Sequence, residues 1–179
     1  DKFIISARIK GDINDKNGIG LFLVDNNGVN IRPYNTIDGY RAAELNFDNL
    51  NAELLCEDNL ANDCIIKANS AGALALSAEA VGIMQVCFDL TLDYLKTRNQ
   101  FGKSIGAFQS IQHRMVDMML EIEQVRSAVM LASSTFETSS STRDKNVSAA
   151  KNLVGRVGEL IAEESIQLHG GIAMTWEYS

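Results

Sequence analysis

Apolar residues alternate or cluster in short runs up to about residue 60 and then recur at three- and four-residue steps, which predicts strands giving way to helices near residue 65. "FIISARIK" and "IGLFLVDN" are rich in Ile, Phe, Leu and Val. They flank "GDINDKNG", which contains Asn-Gly, and so predict two adjacent antiparallel strands. "DNNG" turns the chain into "VNIRPYNTI", and "AELNFDNLNAELL" alternates Leu45, Phe47 and, after an interruption, Leu50, as a half-buried strand would. Pro33, the only proline, marks an edge or a bend.

From about Asn69 the texture becomes Ala, Leu, Met, Glu and Gln without proline, which is helix composition. A first helix of roughly 68–97 carries Leu74, Leu76, Val81, Met84, Phe88, Leu92 and Leu95, apolar enough to predict burial on more than one side. A second, roughly 106–137, places Ile111, Met115, Met118, Ile122, Val125, Val129 and Ala132 at alternating steps of four and three, the seam of a closely packed helix. "STFETSSSTRDKN" is a polar break. A third helix of roughly 144–168 then carries Val147, Ala150, Val154, Val157, Ile161 and Ile166, stopped by Gly170 and Gly171. The predicted class is α+β: a partial antiparallel β module, residues 1–65, followed by an up-down helical bundle, residues 66–179.

Composition changes this picture little. Of 179 residues, 46% are hydrophobic and 22% charged, which suits one good core or a core with a small satellite. A net charge of -7 argues against non-specific binding to a nucleic-acid backbone, leaving room for a local basic pocket. Cys56, Cys64 and Cys87 are odd in number with no Cys-x-x-Cys, so neither a disulfide framework nor a zinc site is expected, and a reduced, cytoplasmic setting is. No apolar run reaches the ~18 residues of a membrane span, so none is expected. "DKFIISARIK" enters a strand at once and "MTWEYS" stops abruptly, and both read as cut from a longer protein.

Two clusters carry candidate chemistry. In "LKTRNQFGKSIGAFQSIQHR", Arg98 either caps the first helix within a solvated cluster with Lys103 and Arg114, or clasps a diphosphate with its planar fork beside the amides that open the second helix. Gln100 and Gln109 add neutral donors and acceptors; Phe101 is a corner plug or a stacking platform. In "IQLHGGIAMTWEY", Gly170 and Gly171 either terminate the helix, with Trp176 and Tyr178 packing the tail, or let a planar or phosphorylated ligand approach the backbone. Gln167, one turn earlier, would then bond the ligand's edge. His113 and His169 are too isolated to build a metal site, and there is no Gly-x-Ser-x-Gly, Gly-x-Gly-x-x-Gly or P-loop.

Taken in order and at their separation, "RNQFGKSIGAFQSIQHRMVDMMLEIEQVR" and "QLHGGIAMTWEY" resemble the acyl-CoA dehydrogenase family. "DKFIISAR", "GIGLFLVD" and "DGYRAAELNFDNL" are similar to its middle β-domain. Within the family the two clusters are most similar to bacterial members of the pimeloyl-CoA dehydrogenase small-subunit type. The resemblance implies the later part of that β-domain and a C-terminal four-helix bundle without its last helix. It implies FAD held across a subunit interface, with Arg98, Gln100, Phe101 and Gln109 at the diphosphate of a neighbour's flavin and Gln167, Gly170 and Gly171 at its adenine end. It also implies a homo-oligomer, dimer or tetramer, that oxidises an acyl-CoA between Cα and Cβ and passes electrons to an electron-transfer flavoprotein. A carboxylate must remove the α-proton. In most members it lies beyond residue 179, and the position used by a minority matches Gly72, which leaves Glu79, two turns on, as the candidate here. The chain alone is therefore expected to be inactive. Two other readings stand beside this one: a non-catalytic subunit of a hetero-oligomeric acyl-CoA dehydrogenase, and a structural helical-bundle module.

Overall fold

A computed structural model describes residues 2–15 and 17–175. They pack as two units, Asp1–Lys67 and Ala68–Ser179.

In the first unit, β1 (Lys2–Arg8), β2 (Ile19–Asp25) and β5 (Ala52–Glu57) form an antiparallel sheet in the order β1-β2-β5. β3 (Asn30–Asn35) and β4 (Arg41–Asn46) form a separate pair. The β1–β2 hairpin runs from Lys2 opposite Asp25 to Arg8 opposite Ile19, as the paired apolar runs predict. Its loop is held from inside. The Arg8 guanidinium donates to the carbonyls of Lys10, Ile13, Asp15 and Asn17 at 2.8 to 3.3 Å, so the turn is built on a side chain rather than on Asn-Gly alone. Asp58, at the start of the following helix, accepts from Lys10 Nζ at 2.9 Å and from Gly18 N–H at 3.1 Å. That pairing with Lys10 holds its carboxyl below the usual range.

The stretch read as one alternating strand is two. Asn49 takes φ +49°, which ends β4's direction, and the chain restarts as β5 against β2 with a bulge at Leu55. Pro33 sits in β3 opposite Ala43. Every strand of a two-stranded sheet is an edge, so the missing amide costs no ladder bond in the interior.

The helices are α1 (Asp58–Thr97), α2 (Gln109–Ser134) and α3 (Ser140–His169). α1 begins ten residues before its predicted start. By length and composition alone it would also suffice to cross a membrane, with a mean hydropathy of 1.6 in its most apolar window, which corrects the expectation that no stretch would. Over the predicted span 68–97, α1 buries one face: Val81, Met84 and Leu95 are inside, while Leu76, Ile83, Val86 and Leu90 are each more than half exposed. Burial on more than one side is thus not found within that span.

The seam on α2 is buried as its spacing predicts, from Met115 through Met118, Ile122, Val125 and Val129 to Ala132, with Ile111 half-buried at its edge. α3 begins inside the polar break. The Ser139 side chain accepts the Thr142 amide at its N-terminus, and Arg143, only 7% exposed, is held by Asp144 at 2.8 Å. Asp144 also accepts from Ser70 Oγ at 2.8 Å, so a charged pair does the packing that apolar periodicity cannot signal. Ile166 is 49% exposed; from Ile161 the buried steps fall on Ser165 and Leu168 instead.

Cross-links fix the helix directions. Arg114 pairs with Glu164, Arg156 with Glu121 and Asn146 with Thr135, a ladder only antiparallel α2 and α3 can form. Gln85 meets Arg126 while Leu92 and Met115 line one cavity, so α1 and α2 are antiparallel as well. Ser70 meets Asp144 and Tyr94 meets His169, which makes α1 and α3 parallel. The helical unit is an up-down-up bundle.

Candidate functional site

At the end of α1, the Arg98 amide donates to the Tyr94 carbonyl at 2.8 Å, and the chain then folds into a hairpin of β6 (Asn99–Gln100) and β7 (Lys103–Ser104). Asn99 faces Ser104 and Gln100 faces Lys103, which leaves a two-residue turn of Phe101 and Gly102. Both have positive φ, +56° and +79°, the type I′ geometry that matches strand twist. Glycine adopts it without strain. Phenylalanine does not, and a bulky residue held there costs roughly 1–3 kcal/mol.

That strain brings little burial in return, since Phe101 is 90% exposed and lies edge-to-face with Phe108 at 6.2 Å between ring centres. A strained aromatic presented to solvent is poorly explained as a corner plug and better as a platform for a ligand's flat face. Phe101→Gly is therefore expected to raise resistance to urea by about 1 kcal/mol, and an unchanged or lower midpoint would argue against strain at this turn.

Arg98 is exposed, and among the described residues its guanidinium takes no hydrogen bond or ion pair. The solvated cluster predicted as its bland alternative is not assembled. Arg114 is paired with Glu164 of α3 at 2.6 Å, a bond that raises its already high pKa, and Lys103 lies 4.1 Å over the Phe108 ring. Arg98 alone keeps its fork open. The Ile105 amide bonds the Arg98 carbonyl at 2.9 Å, and a single 3-10 turn, Ile105–Ala107, then leads into α2. Phe108 caps α2 with no side-chain bond, and no acid sits in its first turn; the Ile111 and Gln112 amides bond the Phe108 carbonyl at 3.0 and 3.1 Å, which leaves the Gln109 and Ser110 amides as the ones an anion could meet.

The second cluster closes α3. Gly170 takes φ +71°, its amide bonding the Ile166 carbonyl, and a short 3-10 turn, Gly170–Met174, follows. A Cβ built on either Gly170 or Gly171 would meet nothing within 4 Å, so their bare backbone faces open space that a ligand can enter. Gln167 is exposed one turn earlier. Trp176 and Tyr178, expected to pack the tail, lie outside the described residues. The two clusters share one end of the bundle, because Tyr94, four residues before Arg98, stacks on His169, the residue before Gly170, with ring centres 4.5 Å apart. Neither ring carries a periodic signal, and sequence reasoning missed the pair. It also missed a cavity of about 480 Å³ beside the hairpin, lined by Leu92, Leu95, Ile111 and Met115 with Lys96 and Gln112.

Other candidates are not gathered here. Glu79 is exposed on α1, as is Gly72 two turns before it. Among the described residues no group of three potential metal ligands occurs.

Residues 63–179 match the model of the acyl-CoA dehydrogenase C-terminal domain. The acyl-CoA dehydrogenase IpdE2 of Mycolicibacterium smegmatis is 38% identical over 106 residues, 59% of this chain and 32% of its own length. The probable acyl-CoA dehydrogenase YngJ of Bacillus subtilis is 30% identical over 98% of this chain and 48% of its own. A solved structure described as PigA with FAD and proline superposes with a TM-score of 0.86 at 26% identity, covering 99% of this chain and 48% of that one. The chain thus spans about a third to a half of the length of the proteins it matches.

Proposed function

The chain belongs to the acyl-CoA dehydrogenase family, and we propose that its helical unit holds the diphosphate and adenosine end of FAD in an acyl-CoA dehydrogenase. The observation that carries this reading is Arg98: an exposed guanidinium with no hydrogen-bond or ion-pair partner among the described residues, beside a strained and exposed Phe101. An unengaged planar fork suits two phosphate oxygens, and its charge offsets theirs. Gln100 and Gln109 supply neutral hydrogen bonds on either side, and Phe101 offers its face to a flat ring. Gln167 bonds the edge of the adenine, while Gly170 and Gly171 let it approach the backbone. All seven lie on exposed surface, so the cofactor they grip is one carried by a neighbouring subunit, and the working form is an oligomer.

Bound FAD would supply the hydride acceptor for α,β-dehydrogenation of an acyl-CoA thioester, with an electron-transfer flavoprotein as the onward acceptor. Removing the α-proton falls to a carboxylate. Glu79 is the candidate on α1, since glycine stands at position 72. Those same two residues favour a second reading, a subunit that grips a partner's FAD and leaves proton abstraction to that partner.

The test is a visible spectrum of the purified full-length protein during titration with FAD, followed by anaerobic addition of an acyl-CoA panel. Perturbation of the flavin bands with bleaching by one ester is the expected result. Binding without bleaching by any ester selects the partner-subunit reading, and no binding leaves a structural helical module. Phe101→Gly, more stable by expectation, should bind FAD several-fold more weakly, as loss of an aromatic face implies.

A further inference from the structure

The two binding clusters are 58 residues apart at their nearest, Gln109 to Gln167, and meet through one aromatic pair. The rings of Tyr94 and His169 are inclined by 27° with centres 4.5 Å apart, a stacked arrangement. Each ring is tied to one cluster by the backbone. The Tyr94 carbonyl accepts the Arg98 amide, and the Arg98 carbonyl in turn accepts the Ile105 amide, so the hairpin hangs from this turn of α1. His169 directly precedes Gly170, and its Nδ1 lies 2.8 Å from the Ser165 carbonyl, which pins the imidazole over the last turn of α3. Leu95 and Leu168, the neighbours of Tyr94 and His169 in sequence, are 1% and 7% exposed, so the backbone behind both rings is anchored in the core.

Burial alone does not account for the pair. Both rings are only half-buried, and an aliphatic residue would fill such a position as well. A stack adds a defined relative orientation, which here passes from the last turn of α1 to the last turn of α3. We propose that Tyr94 and His169 are positioning residues that fix the separation of the Arg98 hairpin from the Gly170–Gly171 turn, so that both can engage one ligand at once. The proposal rests on the FAD reading for the identity of that ligand. FAD has a set span between its diphosphate and its adenine, so a clasp already at that span avoids the ordering cost of binding. Pyrophosphate, which touches the Arg98 side alone, gains nothing from the stack.

The test compares Tyr94→Leu and His169→Leu, which keep apolar bulk, with Tyr94→Phe and His169→Phe, which keep the stack. Without ligand, amide hydrogen exchange is read across the pair. Tyr94→Leu should speed exchange of the Gly170 amide, and His169→Leu that of the Arg98 and Ile105 amides, each by about three-fold or more, with the phenylalanine variants near the parent. With ligand, both leucine variants should weaken FAD binding about three- to tenfold, leave pyrophosphate binding unchanged, and be rescued by phenylalanine. Unaltered exchange across the pair, or equal losses for FAD and pyrophosphate, would overturn the proposal. A parent protein that binds no FAD sinks the FAD reading instead, and the exchange measurement then decides the positioning role by itself.

Discussion

Replacing Arg98 by alanine is expected to weaken FAD binding by about ten- to a hundredfold while leaving the unfolding midpoint in urea essentially unchanged. The size follows from the kind of bond lost. Charge-assisted hydrogen bonds to phosphate contribute about 1.5–3 kcal/mol, and the fork can make two in parallel. The neutrality toward folding follows from the absence of any protein partner among the described residues: no ion pair is broken and no buried group is orphaned. Arg98→Lys separates charge from shape. It keeps the charge but not the fork, so it should recover part of the loss at low salt and progressively less as salt screens the remaining point charge. Isothermal titration of the three proteins at two salt concentrations reads all of this. If Arg98→Ala binds FAD as the parent does, the loop is a helix cap after all, and the structural-module reading gains what the cofactor reading loses.

The contrast between Arg98 and Arg114 marks how far the sequence was legible. Both arginines stand in the same twenty-residue stretch, and composition places them together with Lys103 in one solvated patch. In the fold Arg114 is committed to Glu164, fifty residues away on another helix, and only tertiary packing could reveal that. Phe101 is a similar case in reverse. Turn chemistry expects Asn or Asp before Gly102, so the rule that identifies type I′ hairpins passes over this one. Local rules fail where a residue is set against the preference of its turn, as Phe101 is at φ +56°. The Tyr94–His169 stack joins residues with no periodic relation, and α3 starts early on the strength of Ser139, Arg143 and Asp144, none of which is apolar. By contrast the α2 seam was readable throughout, because a single pattern repeats for about six turns from Ile111 to Ala132.

That seam sets the second large effect, on stability. Ile122→Ala is expected to destabilise the protein by about 2–5 kcal/mol, whereas Ile166→Ala should stay within about 0.5 kcal/mol. Both are isoleucines on bundle helices, and periodicity assigned both to the core. Ile122 is 2% exposed in the shared core with Val125 and Val157, so truncation removes three carbons from packed surroundings and leaves a cavity that rigid helices cannot close. Ile166 is 49% exposed, one position past Ser165 where the buried steps run. Urea unfolding followed by circular dichroism measures the two against the parent. Equal losses would mean that the exposed face of α3 around Ile166 is covered in the assembled protein, and a small loss at Ile122 would mean that the α2 seam does not hold the bundle together. Either result also bears on the binding site, because the Arg98 hairpin and the Gly170 turn are carried by the ends of the helices this core aligns. FAD affinity measured well below the unfolding transition should therefore survive Ile122→Ala, which separates a weakened scaffold from a damaged clasp.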